Sequence, residues 1–115
     1  MDLHGYDPVT LPPAVLAYLD ARDDNDFARA LATFSADAVV HDDGATYRGL
    51  EEINSWIEAS STTFTYTTTR IAQYVRGGLA VVRVRLEGDF PGGVVELNNR
   101  FEGAKHQISE LTITA

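Results

Sequence analysis

Apolar positions recur at helical spacing in the first half of the chain and alternate with polar ones in the second half. Leu11, Val15, Tyr18 and Leu19 follow the three-to-four-residue step of a helix, with Arg22 next on the same face. Thr10 is positioned to cap this helix, whose first turn accepts Pro12 and Pro13 because early helical amides lack partners anyway. The run "DDND" at 23–26 interrupts the pattern and supplies a new cap. Phe27, Ala30, Leu31 and Phe34 then predict a second amphipathic helix. A valine-rich strand is expected over 38–42, a turn through Asp43 and Gly44, and a short strand at 45–48. A third helix is expected from near Gly49, with Leu50, Ile53, Trp56 and Ile57 on one face.

From residue 63 onward the chain reads as long strands. "TFTYTTTRIAQYV" is rich in β-branched and aromatic residues, which suit a pleated surface, and threonines 62, 63, 65, 67, 68 and 69 read as strand formers. "RGG" at 76–78 and "PGG" at 91–93 mark reversals, where glycine supplies the backbone freedom a tight turn requires. Between them Val82, Val84 and Leu86 alternate against Arg83, Arg85 and Glu87. "VVELNNRFEG" and "QISELTIT" complete the set through a tight "EGAK" connection. Helices grouped first and strands grouped last predict an α+β fold. The expected form is a strongly curved meander, with three helices from the N-terminal half closing its concave side. Residues 1–10 read as an irregular arm and 11–115 as a single domain.

Composition narrows the partners. Hydrophobic residues make up 44% and charged residues 23% of the 115, the balance of a folded domain with one core. A formal charge of -8 repels phosphate backbones, so neither nucleic acid nor an anionic membrane is expected as a partner. With no cysteine there is no disulfide, thiolate nucleophile or thiolate-held zinc, which fits a reducing cytoplasm. The N-terminus lacks the basic start and apolar run of a signal peptide. Neither a glycine-rich phosphate loop nor a nucleophile elbow occurs, and no cofactor is expected.

The candidate chemistry lies in "VVHDDG", residues 39–44. Strand alternation puts Val40 and Asp42 on one face, Val39 and His41 on the other. If Val40 faces the core, Asp42 faces a cavity, where an apolar setting lifts a carboxylate toward a value useful for proton transfer. Alternatively, Asp42 opens a solvated turn. Tyr18, on the apolar stripe of its helix, is either plain packing or a phenol aimed into the same cavity. His41 reads as a surface or dimer-face histidine. No metal is expected, since His41, Asp42 and Asp43 point to opposite faces in turn and His4 and His106 lie elsewhere. Arg83, Arg85 and Glu87 read as a solvated or dimer-forming outer sheet face, with an arginine–carboxylate catalytic pair as the sharper alternative; their self-complementary charge predicts a homodimer through that face.

The string "YLDARDDNDFARALATFSADAVVHDDG…YRGLEEINSW", followed by four long strands, resembles the nuclear-transport-factor-2-like superfamily, which includes ketosteroid isomerase and the SnoaL-like polyketide cyclases. The resemblance implies that Tyr18 falls where ketosteroid isomerase has its oxyanion-hole tyrosine and Asp42 where it has its general-base aspartate. It implies a cone-shaped form for the curved mixed or antiparallel sheet, and it implies that Trp56 matches a pocket-facing aromatic of the third helix. The isomerase's second oxyanion donor, a protonated aspartate, falls here on Leu97, which cannot donate; Asn99 shares its strand parity and could supply an amide. Phe34, Val40, Trp56, Val82, Val84, Leu86, Leu97 and Phe101 are expected to line an apolar pocket for a hydrophobic small molecule. Two functions fit: cofactor-independent acid–base catalysis on a carbonyl compound, or a non-catalytic ligand-binding or dimerisation module of the same fold.

Overall fold

The computed structural model describes residues 2–115. It is a mixed α+β fold of three helices and an open sheet of seven strands, β1 (His4–Gly5), β2 (Phe34–Asp42), β3 (Ala45–Arg48), β4 (Tyr66–Arg76), β5 (Leu79–Gly88), β6 (Val94–Glu102) and β7 (Ile108–Thr114), in the order β1-β4-β5-β6-β7-β2-β3. Strand β2 runs parallel to β7, and every other neighbouring pair is antiparallel. The long strands β4, β5 and β6 form the meander that the alternating half predicts. Short strands β1 and β3 take the two edges.

The N-terminal segment is more ordered than an irregular arm. His4 and Gly5 pair with Gln73 and Ala72 of β4. Pro8–Thr10 forms a 3-10 turn capped by Asp7, whose side chain accepts from the Val9 amide. The buried Gln73 side chain holds the segment down, accepting from the Asp7 amide and donating to the Thr10 hydroxyl. Thr10 therefore does not cap the first helix. That helix, α1, spans Pro13–Asp23 with Pro12 at its N-cap, and it buries Ala14, Val15, Tyr18, Leu19 and Ala21.

Asp26 of "DDND" caps α2 (Phe27–Leu31), accepting from the Arg29 amide. This helix is shorter than its apolar spacing suggests. Thr33 returns its hydroxyl to the Ala30 carbonyl, the chain leaves the helix, and Phe34 becomes the first residue of β2 opposite Ile108. Apolar residues three and four apart cannot tell a longer helix from a short helix followed by a buried strand. The β2–β3 reversal is Asp43 and Gly44, both at positive φ (51° and 78°), the conformation of a primed two-residue hairpin turn. Helix α3 (Gly49–Thr62) buries Ile53, Trp56 and Ile57, leaves Leu50 at the surface, and includes Thr62, which had read as strand.

One core joins the helices to one face of the sheet. It contains Val15, Tyr18 and Leu19 of α1, Ile53, Trp56 and Ile57 of α3, and Phe34, Val40, Val82, Phe101 and Leu111 of the strands. The opposite face carries Arg83, Arg85, Glu87, Arg100 and Glu110, as the alternation requires.

Candidate functional site

Register places the candidate residues in transverse rows across the sheet. Val40, Leu111, Phe101 and Ala80 form one row through β2, β7, β6 and β5, and all four are fully buried. Two residues along each strand, Asp42, Ile113, Asn99 and Val82 form the next row on the same face. Asp42 is thus the last residue of its strand, facing inward beside Ile113, and the solvated turn begins at Asp43. Neighbouring strands lie about 4.8 Å apart, so Asp42 and Asn99, two strands apart, have backbones separated by roughly 10 Å. Both open onto a cleft of about 1540 Å³ on the helix-covered face.

Tyr18, Asp42, Trp56, Val84, Leu86, Leu97 and Asn99 line this cleft, seven of the eleven candidates drawn from the sequence. Phe34, Val40, Val82 and Phe101 do not line it. They are sealed in the core, with Phe34 and Phe101 packed edge-on to the Tyr18 ring at 5.5 Å and 5.6 Å. All four face inward, but facing inward fixes a side of the sheet and not a depth. The lining is also more polar than expected, because Tyr47, Tyr66, Thr68, Arg70 and Arg22 join it.

The polar groups are tied together from the helices. The Trp56 indole N–H donates to Asp42 Oδ2 at 3.0 Å, so α3 holds the carboxylate in place, and Tyr47 stacks at a tilt against the indole at 6.1 Å. The amide of Asn99 reaches the Val82 carbonyl at 3.5 Å, a long contact, and a primary amide has a second N–H to offer. Tyr18 is 4% exposed and its hydroxyl has no hydrogen-bond partner among the described residues, yet it lines the cleft. Burial pushes this phenol up from its ordinary value; Arg22 pulls it down, while Tyr66 and Asp42 add to the rise. Tyr18 therefore stays protonated, a donor without an internal acceptor.

Two arginines at the cleft went unsingled by sequence reasoning. Arg70 of β4 binds Asp20 and Asp23 of α1 at 2.9 Å and 2.8 Å and the Tyr6 hydroxyl at 2.7 Å. Arg22 lies with its guanidinium carbon 5.1 Å from the centre of the Trp56 ring and 5.9 Å from that of Tyr18. Arg22 stood on the same helical stripe as Tyr18, and an arginine on an apolar stripe was the available signal. Outside the cleft, on the other sheet face, His41 meets Glu110 at 2.6 Å and Thr46 at 3.2 Å. No cluster of metal-ligating side chains occurs among the described residues.

Solved structures share this architecture. A protein of ketosteroid isomerase-like fold from Catenulispora acidiphila, in complex with trimethylamine, has a TM-score of 0.79 at 20% identity, covering 92% of this chain and 87% of that one. RV0760c from Mycobacterium tuberculosis, in complex with estradiol-17beta-hemisuccinate, gives 0.74 at 15% identity, covering 89% and 90%. At such identities the likeness is one of fold. A candidate polyketide cyclase from Sinorhizobium meliloti has a TM-score of 0.88 at 34% identity, covering 95% of this chain and 100% of that chain. The model of the SnoaL-like domain family matches residues 15–110, and the chain belongs to that family. No protein of curated function matches the sequence.

Proposed function

We propose that the protein is a cofactor-independent acid–base catalyst acting on a hydrophobic carbonyl-type small molecule, by isomerisation, cyclisation or dehydration. Asp42 takes a proton from the carbon next to the carbonyl and returns it at a second position. Tyr18 donates its hydroxyl hydrogen to the enolate oxygen that forms meanwhile, and an Asn99 N–H assists. Val84, Leu86, Leu97 and Trp56 supply the apolar part of the wall. The observation that carries this reading is the convergence of a carboxylate, an unpartnered phenol and an amide on one cleft. Fold relatives solved with estradiol-17beta-hemisuccinate and with trimethylamine lend support to a small organic ligand.

The Asp42→Asn variant tests the proposal. Turnover of enone or polyketide-like substrates should fall by about a hundredfold or more, and unchanged turnover would remove Asp42 from the mechanism. The second reading, a binding module without chemistry, is favoured by Leu97 standing where a donor is wanted and by the Trp56 bond that occupies one Asp42 oxygen. It predicts ligand binding by thermal shift with no turnover in the wild type. We also propose that the charged outer face pairs two copies; sedimentation as a monomer at micromolar concentration would refute this.

A further inference from the structure

Arg22 is an unusual occupant of a cleft wall. Its Nη2 donates to the Ser60 hydroxyl at 2.8 Å, and its Nη1 is the single buried side-chain polar atom without a partner among the described residues. Arg70, on the same cleft, has two carboxylates against it, whereas Arg22 takes part in no ion pair among the described residues. A half-buried cation without a counter-ion is costly to keep. Ring faces offset part of that cost, and Arg22 has the Trp56 face and the Tyr18 face to lie over. Those two rings belong to the side chains that hold Asp42 and present the free phenol.

We infer that Arg22 is a positioning residue that supplies a fixed positive charge for an anion forming beside Tyr18, in place of the late-strand donor that Leu97 cannot provide. This rests on the catalytic reading above and assigns the cleft a ligand class, namely compounds that carry or develop an oxyanion on a flat apolar skeleton. The charge acts through space and through Tyr18. Of the charged or titratable groups acting on that phenol, Arg22 from α1 favours an anion there, while Asp42 from β2 and Tyr66 from β4 oppose one. Asp23, Asp42 and Asp43 stand in the wall of the cleft, in a chain of net charge -8, and without Arg22 they would repel the species that Tyr18 is proposed to stabilise.

The test uses 4-nitrophenol, whose phenolate is visible by its absorbance, and nitrobenzene as the uncharged comparison. Wild-type protein should bind the phenolate in preference to nitrobenzene and keep the bound probe ionised at a lower pH than in free solution. Arg22→Met should weaken phenolate binding by about tenfold while nitrobenzene affinity moves by less than roughly twofold. Arg22→Lys should restore part of the difference. Arg22→Gln, neutral but able to bond Ser60, should behave as the Met variant does, and it keeps the test open if that variant folds poorly. A wild type indifferent to the probe's charge, or a phenolate preference that survives in both neutral variants, overturns the inference. The two readings fail separately, since Asp42→Asn with turnover intact removes the catalytic step while leaving the anion preference in place.

Discussion

The helix-covered face of the sheet has a closed end and an open end, built from the same strands with the same alternation. At the closed end Phe34, Val40, Val82 and Phe101 are fully or almost fully buried. At the open end, on β5 and β6, Val84, Leu86, Leu97 and Asn99 face a cleft. What differs is the cover. The Tyr18 ring packs against Phe34 and Phe101 in edge-to-face pairs, and the N-terminal segment bonded to Gln73 covers the same end of β4. Beyond Tyr18 the helices contribute Arg22, which bonds Ser60, and Trp56, which bonds Asp42, and the space over Val84, Leu86 and Leu97 stays open. Sealed core and open cleft are thereby separated along the strands within one pleat.

The sharpest way to break this comparison is to cut a side chain at each end. Phe101→Ala, in the sealed row, should cost about 3–5 kcal/mol in denaturant unfolding. Leu97→Ala, one side of an open cleft, should cost about 1 kcal/mol, since its methyls lose less contact and water can fill the gap. Equal losses would mean that the open end is packed as tightly as the closed one. The next largest effect concerns the clamp between sheet and helix. Arg70 is 13% exposed in its side chain and ties β4 to α1 and to Tyr6. Burial pushes this guanidinium down, but the bonds to Tyr6 and Asp20 and the charge of Asp23 outweigh it, and the net shift is upward. Arg70→Met should lower stability by about 1–2 kcal/mol, because the released carboxylates are exposed and regain water.

The division into two ends was only half legible in the sequence. Period-two alternation in "LAVVRVRLEG" correctly assigns Val82, Val84 and Leu86 to the covered face, and the Asp43-Gly44 turn leaves Asp42 as the last inward residue. Depth along the strand was not legible, because it depends on where Tyr18 and the N-terminal segment lie, and those contacts join residues far apart in the chain. Phe34 shows the same difficulty. Its spacing from Phe27, Ala30 and Leu31 matches a helix, but pairing with Ile108 decides that it is strand. Arg22 and Arg70 were hidden for a third reason. Charged side chains gain meaning only from their partners, and Asp20, Asp23, Tyr6, Trp56 and Ser60 are assembled by the fold.

Smaller changes sharpen the comparison at the boundary between the two ends. Trp56→Phe keeps the ring in the core but removes the N–H that Asp42 accepts, and should cost about 1 kcal/mol. Tyr18 is the last and finest probe, because its ring belongs to the closed end and its hydroxyl to the open one. With no bond to lose, Tyr18→Phe should change stability near neutral pH by no more than about 0.5 kcal/mol. Alkaline conditions should separate the two proteins. Burial raises the folded-state phenol above its ordinary value near 10.0, so above that pH the unfolded chain releases the proton first. Folded protein then holds more protons than unfolded, and stability must fall as pH rises through this window. The fall should be shallower in Tyr18→Phe than in the wild type. Parallel curves above that pH would mean that the phenol is wetted, and that the boundary between sealed core and open cleft lies deeper than Tyr18.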